Sequence, residues 1–366
     1  MRVSTPRSRS VSRRLAAVSV ALVASTALAA CHSASTASAD LPNRGGTLNV
    51  ILSNQPINNL DPQEISLAND SDISHLLDRT LTTVNAAGQV VPDLATDTGR
   101  PSADLTTWEF TLKPGLRWQD GSPVACQDVQ YGIERRFDKT INAAGGLNYP
   151  LTYLADSSTY KGPFANKSGV GASSTLSSIK CIDQRTIQFK LTQPYGDFGY
   201  TVSVSTFAPM KQGRPADNDY SADGSKTSTD YDPFSDGPYK VDPTATKTTR
   251  DPSSGFYYAT HLVLVRNQFW DPATDAVRKA YPDKIVFDYD PKKPNVTNSL
   301  IQSALPYYQD AINLDSDVSS QFVQQVINDP TLSKRAIAGF QGATRYFAIN
   351  TQRLTNVNCR KALEWG

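Results

Sequence analysis

Trp108-Glu109-Phe110-Thr111-Leu112-Lys113-Pro114-Gly115-Leu116-Arg117-Trp118-Gln119-Asp120-Gly121-Ser122-Pro123-Val124 is the stretch from which the rest of the chain is read. Its first five residues alternate bulky apolar and polar side chains, the pattern of a half-buried strand. Lys113-Pro114-Gly115 turns the chain, and Trp118 to Pro123 forms a second turn in which Asp120-Gly121 supplies a positive-φ position. The spacing then predicts a helix over Ala125 to Phe137, with Val129, Ile133 and Phe137 on one face and Gln127 to Arg136 carrying the polar side.

Upstream, Gly45-Gly46 followed by Thr47-Leu48-Asn49-Val50-Ile51-Leu52 reads as a glycine turn feeding a buried strand. Leu60-Asp61-Pro62 is a break, because proline restricts the residue before it and donates no backbone hydrogen bond. Ser71 to Leu81 has helical spacing at Ile73, Leu76, Leu77 and Leu81. Downstream, Asn142 to Ser178 reads as mostly irregular and Gln212 to Thr229 as a polar surface excursion. Strands are expected at Thr186 to Leu191, Leu262 to Val265, Ile285 to Phe287 and Tyr346 to Asn350. Asn358 to Trp365 reads as the first turns of an amphipathic helix. Strands and helices interleave irregularly through long connections, which describes an α/β chain of more than one lobe.

The 366 residues suffice for two or three domains, and a net charge of +1 offers no broad basic surface for nucleic acid. Tyr (16) outnumbers Phe (13), a composition that suits wet, polar recognition as well as core packing. Residues 1–30 differ in kind: Arg2, Arg7, Arg9, Arg13 and Arg14 precede an apolar run from Leu15 to Leu28 that is too short for a permanent bilayer span. Leu28-Ala29-Ala30-Cys31 resembles the lipobox of bacterial lipoproteins, which implies a diacylated Cys31 as the mature N-terminus. An ordinary secretory peptide with a chance Cys is the other reading of these residues. Ser12-Arg13-Arg14-Leu15 loosely resembles a twin-arginine signal, so the export route stays open. Residues 31–44 are Ser/Ala/Thr-rich and read as a flexible tether.

The pieces together, in this order, resemble the solute-binding proteins of peptide and nickel importers, known as family 5. The residues that carry the likeness are the Gly-Thr-Leu strand with Leu60-Asp61-Pro62, Val91-Pro92-Asp93-Leu94-Ala95, and Trp108 to Val124 with Asp128-Val129, Tyr131 and Arg135. Asp236-Gly237-Pro238-Tyr239, Leu264 to Trp270, Tyr346 to Asn350 and Asn358 to Leu363 continue it. The resemblance implies a type II periplasmic-binding-protein-like fold of two lobes with an extra subdomain. Lobe one would be 45–78 with 192–313, the side subdomain 79–191, and lobe two would begin at 314–366. It implies capture of oligo- or dipeptides outside the cytoplasm, by lobe closure and without chemistry, for delivery to membrane permease subunits of an ABC importer. The protein would be a monomer with no cofactor, held at the outer face of the cytoplasmic membrane by acylated Cys31. Glu64, Ile65, Ser66, Leu67 and Ala68 fall where the family places a ligand-facing edge; a plain surface loop is the competing reading. Relatives also carry nickel chelates or oligosaccharides, so a non-peptide ligand is an alternative.

A secreted lipid-anchored hydrolase is the rival class. His32, His75 and His261 lack the spacing of a zinc protease, and no G-x-S-x-G elbow occurs. Ser177-Ser178-Ile179-Lys180 matches S-x-x-K, but no K-T-G follows. Asp230, Asp232 and Asp236 cluster as in a calcium loop, yet Phe234 stands where an oxygen ligand is needed; a solvated acidic turn is expected and no metal. Sequence spacing does not decide a glycosidase carboxylate pair.

Export permits disulfides. Cys126, opening the predicted helix, and Cys181, just before a strand of the same subdomain, are expected to pair; two buried free thiols are the alternative. Cys359 is then the odd thiol. Because the family continues for roughly another lobe, the chain is expected to be C-terminally truncated and to lack one wall of the cleft.

Overall fold

The computed structural model describes residues 44–53, 56–163, 175–212, 233–250, 257–289, 300–301, 311–336 and 349–365. The leader, the tether and Cys31 lie outside the described residues, as do Asp230, Asp232, residues 213–229 and most of the strand expected at Tyr346 to Asn350.

Among the described residues, twelve strands form three sheets. β1 (Thr47–Leu52), β8 (Tyr239–Val241), β9 (Lys247–Arg250), β10 (Tyr257–Arg266), β11 (Lys284–Tyr289) and β12 (Ala311–Asn313) make a mixed sheet of order β12-β1-β11-β10-β8, with β9 pairing β10. β1 runs parallel to both neighbours, Thr47 opposite Lys284 and Asn49 opposite Ala311. Its near-continuous apolar run follows from that position: Val50 and Leu52 pack against Ile73, Leu77, Leu262 and Phe287, while Ile51 faces Ala311 on the other side. Helix α1 (Ala68–Leu77) covers the first of these faces.

β2 (Thr82–Val84) and β3 (Val90–Pro92) form a hairpin. β4 (Arg100–Pro101), β5 (Thr107–Thr111), β6 (Ile179–Cys181) and β7 (Thr186–Lys190) form an antiparallel sheet of order β4-β5-β7-β6. On β5 the expected alternation holds: Trp108 and Phe110 are buried and register with Phe189 and Ile187 of β7. Phe110, Phe189, Phe198 and Phe207 continue as a chain of rings at centroid distances of 5.8, 5.3 and 5.9 Å. Both turns after β5 use glycine with positive φ, Gly115 at +82° and Gly121 at +84°. At Gly121 space demands it too, since a Cβ would stand 2.8 Å from the Phe269 ring.

Helix α2 (Cys126–Arg135) follows, held to the turn by Asp128, whose carboxylate accepts from the Ala125 amide (2.8 Å) and Trp118 Nε1 (3.2 Å). Cys126 and Cys181 form a disulfide with their Cα atoms 5.7 Å apart, joining the start of α2 to the end of β6. Among the described residues Cys359 is a free, exposed thiol in the helix Val357–Trp365.

Four expectations need correction. Helix α1 ends at Leu77 and not at Leu81, because the Leu77 carbonyl is taken by Ser235 Oγ (2.5 Å) and the Gly237 amide (2.8 Å). Leu81 then joins the core of the other sheet. The polar side of α2 is buried at Glu134, Arg135 and Arg136, each hydrogen-bonded to another segment of the chain. The stretch Asn142 to Ser178 is less irregular than expected: α3 (Lys139–Ala144) runs into it and α4 (Tyr149–Tyr153) lies within it. Asp236 is buried, its carboxylate accepting from the Arg79 amide at 2.9 Å, so it is no solvated turn residue.

Candidate functional site

The segment after Asp61-Pro62 is fixed from several directions. Arg135 of α2 holds Asp61 with two bonds of 3.0 and 2.6 Å and also reaches Gln63 Oε1 at 2.5 Å. Gln63 Nε2 in turn donates to the Ala208 carbonyl at 3.1 Å. Asp70 of α1 accepts from the Asn58 and Asn59 amides at 3.1 and 3.2 Å; burial pushes its carboxyl up to about 7, against the pull of those two amides. Gly145-Gly146 lies directly on this segment. Both glycines have positive φ, and a Cβ on Gly146 would stand 2.2 Å from the Gln63 carbonyl. No other residue allows so close an approach, and Leu147, next in the chain, lines the same cavity as Ser66.

Within the segment, Glu64 and Ile65 are buried, Ser66 and Ala68 are exposed and Leu67 is half-buried. Leu67 is extended (φ −103°, ψ 146°) and leads into the first turn of α1. Among the described residues, no hydrogen bond engages the amide or carbonyl of Ser66 or the amide of Ala68. These groups stand on the wall of a cavity of about 560 Å³ lined by Ile65 to Ala68, by Ser71, His75 and Leu76 of α1, and by Thr83 and Val84 of β2. Leu147, Tyr200 of α5 (Phe198–Thr201), Ser203 to Ser205, and Val277-Arg278 complete the lining. The volume lies in the range of small-molecule and peptide-side-chain sites.

Behind one wall sits a buried charge network. Arg79 donates to Asp93 (2.8 Å), to the hydroxyl and carbonyl of Thr274 (3.0 and 2.9 Å), and its amide to Asp236. Arg278 bridges Asp93 (2.9 Å) and Asp275 (3.1 Å) and donates from Nε to the His75 carbonyl. Burial would raise the Asp93 carboxyl, but Arg278 and Arg79 together hold it below the usual carboxylate range. Asp78 and Asp236 have less cationic company: burial drives both up, Asp236 to about 7 against the pull of Arg79, and Asp78 well above the usual carboxylate range, with Asp236 beside it adding to the rise. Burial, then the Arg278 guanidinium, lowers His75 to about 4, so it is neutral at ordinary pH.

Of the five residues expected at a ligand edge, Ile65, Ser66, Leu67 and Ala68 line the cavity. Glu64 does not: it is buried, bonded to Asn59 Nδ2, and its charge faces Arg136. Leu147, Tyr200, Ser203 to Ser205 and Arg278 were not anticipated. The Gly145-Gly146 pair is the local signal that could have marked a close backbone approach, but nothing in the sequence says what is approached. Among the described residues no group of His, Cys, Asp and Glu is arranged to hold a metal ion.

The sequence profile of the bacterial extracellular solute-binding proteins, family 5 (middle region), matches residues 89–366. The oligopeptide-binding protein OppA of Bacillus subtilis (strain 168) is 26% identical over 366 residues, covering 96% of this chain and 59% of that protein. Among solved structures, the clavulanic acid biosynthesis oligopeptide binding protein 2 superposes with a TM-score of 0.64 at 29% identity, over 80% of this chain and 48% of that one. The Escherichia coli murein tripeptide binding protein MppA superposes with a TM-score of 0.55 at 19% identity, over 78% and 48%, a likeness of fold. This chain thus spans about half of each solved relative and 59% of the Bacillus protein.

Proposed function

The chain belongs to the bacterial extracellular solute-binding proteins of family 5, and from that membership we propose that it captures short peptides outside the cytoplasm for an ABC importer. Members of this family bind solutes and do no chemistry on them, and they work outside the cytoplasm. No described helix is long and apolar enough to cross a membrane.

The observation that carries the peptide reading is the exposed, extended step Ser66 to Ala68. Its unengaged amide and carbonyl groups stand beside a cavity able to hold side chains. A peptide backbone laid along that edge gains hydrogen bonds that every peptide can make, whatever its sequence. The relatives at 26% and 29% identity are both oligopeptide-binding proteins, which supports the same ligand class.

The wider arrangement belongs to the same proposal. Residues 45–78 and 192–313 form lobe one, 79–191 the side subdomain and 314–366 the beginning of lobe two, whose closure over lobe one removes the peptide from water. Phe198, Val202 and Phe207 pack into the aromatic core of the side subdomain, which joins it firmly to lobe one. Cys31 carries the lipid anchor of a monomeric receptor that hands its peptide to the permease.

The Ala68 amide allows a direct test. Ala68 is the first residue of α1, a position that tolerates proline, and Leu67 before it already has the extended backbone that proline requires. Ala68→Pro should leave the melting temperature unchanged while removing one donor to the ligand. Calorimetry with short peptides should then show affinity lowered by about three- to tenfold. Unchanged affinity would remove this edge from the binding site, and free amino acids released from the peptides would point to an enzyme instead.

A further inference from the structure

We propose that the cavity beside Ser66 to Ala68 selects an uncharged, apolar side chain of the bound peptide and excludes a basic one. The proposal rests on the reading of this edge as a peptide site and adds a preference that backbone pairing alone would not give.

The first observation is where exposed apolar side chains collect. Val84 (38% exposed), Leu147 (36%) and Tyr200 (54%) come from β2, the loop before α4 and α5, and all three line the same cavity. Single exposed apolar residues need no explanation, but three from separate segments gathered at one opening make a surface fitted to an apolar partner. Deeper in, Ile65, Leu76 and Val204 add apolar surface.

The second observation is the distribution of charge. Apart from the Tyr200 phenol, the ionisable side chains among the described lining residues are His75 and Arg278, and none of those residues is Asp or Glu. The carboxylates that balance Arg278, Asp93 and Asp275, are 0% exposed and stand behind it. His75 is held neutral by burial and by the neighbouring guanidinium. A Lys or Arg side chain entering here would lose water, meet no carboxylate and face a fixed cation. An acidic side chain gains little, because Arg278 is already bonded to two carboxylates. An apolar one loses nothing and covers the rim.

Homotripeptides make the test independent of register, since any slip along the edge presents the same side chain. Trialanine, trileucine and trilysine would be titrated by equilibrium dialysis against the full chain and against Val84→Glu. Val84 is exposed at the rim, so the substitution places a carboxylate there without emptying the core. The wild type should bind trileucine about tenfold or more tighter than trilysine. Val84→Glu should narrow that ratio by raising trilysine affinity, with an unchanged melting temperature. Equal binding of trileucine and trilysine, or a ratio that Val84→Glu leaves untouched, overturns the selection while the peptide site stands. Failure of all three peptides, trialanine included, overturns the peptide site and the selection with it.

Discussion

The four-stranded sheet and the wall behind the cavity are both buried, yet they are held by opposite means. Around β5 and β7 the contacts are rings on rings, Trp108, Phe110, Phe189, Phe198 and Phe207, closed by the Cys126–Cys181 bond. Around Arg79 and Arg278 the contacts are charges on charges, with Asp93 and Asp275 shared between them and Asp78 and Asp236 alongside. The ring core tolerates small shifts and is indifferent to pH and salt. The charged wall depends on one arrangement of its donors and acceptors, so it fixes geometry more than it adds stability. It ties the end of α1, the β2–β3 hairpin and the 274–278 loop together, the three segments that place His75, Thr83, Val84 and Arg278 at the cavity.

The largest test of the contrast lies on the ring side. Replacing both Cys126 and Cys181 by Ala should cost about 4 kcal/mol by chain entropy, the bridge spanning 55 residues, and urea unfolding would show it. Peptide affinity measured in the folded state should not change; a loss would mean that the two regions are mechanically coupled. Arg79→Ala, on the charged side, should cost about 3 kcal/mol, because Asp93 keeps only one guanidinium and the Thr274 hydroxyl loses its donor, its carbonyl keeping only Lys113. Here affinity should fall along with stability, and calorimetry beside a melting curve would separate the two.

The pH dependence sharpens the contrast further. Asp236 has its carboxyl raised to about 7, above the unfolded value near 4, so the native state holds a proton that the unfolded state releases between those values. Its contribution to stability is therefore full in acid and is lost as pH rises through about 7. His75, lowered to about 4, runs the other way, contributing more as pH rises from about 4 to its unfolded value near 6.5. Asp236→Asn keeps the acceptor for the Arg79 amide and removes the ionisation. It should be stabilising by about 1 kcal/mol at pH 8 and near neutral at pH 5, as read by urea midpoints at the two pH values. A gain of equal size at both would mean that ionisation plays no part. The smallest effect belongs to an exposed pair of the same chemistry, Arg100 with Glu109, 44% and 37% exposed. Glu109→Gln should change stability by less than about 0.5 kcal/mol and the change should vanish in high salt.

What the sequence made legible follows the same divide. The ring side was readable because strand period, turn glycines and helix spacing are local properties: Trp108 to Leu112, Gly115, Gly121 and the apolar face of α2 all stood where their spacing placed them. At the site, Ile65 to Ala68, expected from the family likeness of the stretch after Asp61-Pro62, line the cavity. The opposite walls were not expected. Leu147, Tyr200 and Arg278 reach the cavity only after the chain has folded back on itself, and no local pattern records that. Buried charge misled in both regions for the same reason: Glu134, Arg135 and Arg136 of α2 and Asp236 of the wall look like solvent-facing residues until their partners at Leu176, Asp61, Asn148 and Arg79 arrive from elsewhere.

The parallel placement of β1 bears on the order in which the molecule assembles. The strand lies between β11 and β12, so its hydrogen-bonding partners are among the last described strands to leave a ribosome or a translocation channel. Pairing at such separation carries the full entropy of a long loop and comes late, whereas β4 to β7 and α2 can close on one another within a contiguous stretch. In the interval, Val50, Ile51 and Leu52 form an unpaired apolar edge open to other chains. Pulsed hydrogen exchange during refolding should therefore protect the amides of Phe110 and Phe189 before those of Val50 and Ile51; the reverse order would mean that the first strand to emerge is also the nucleus.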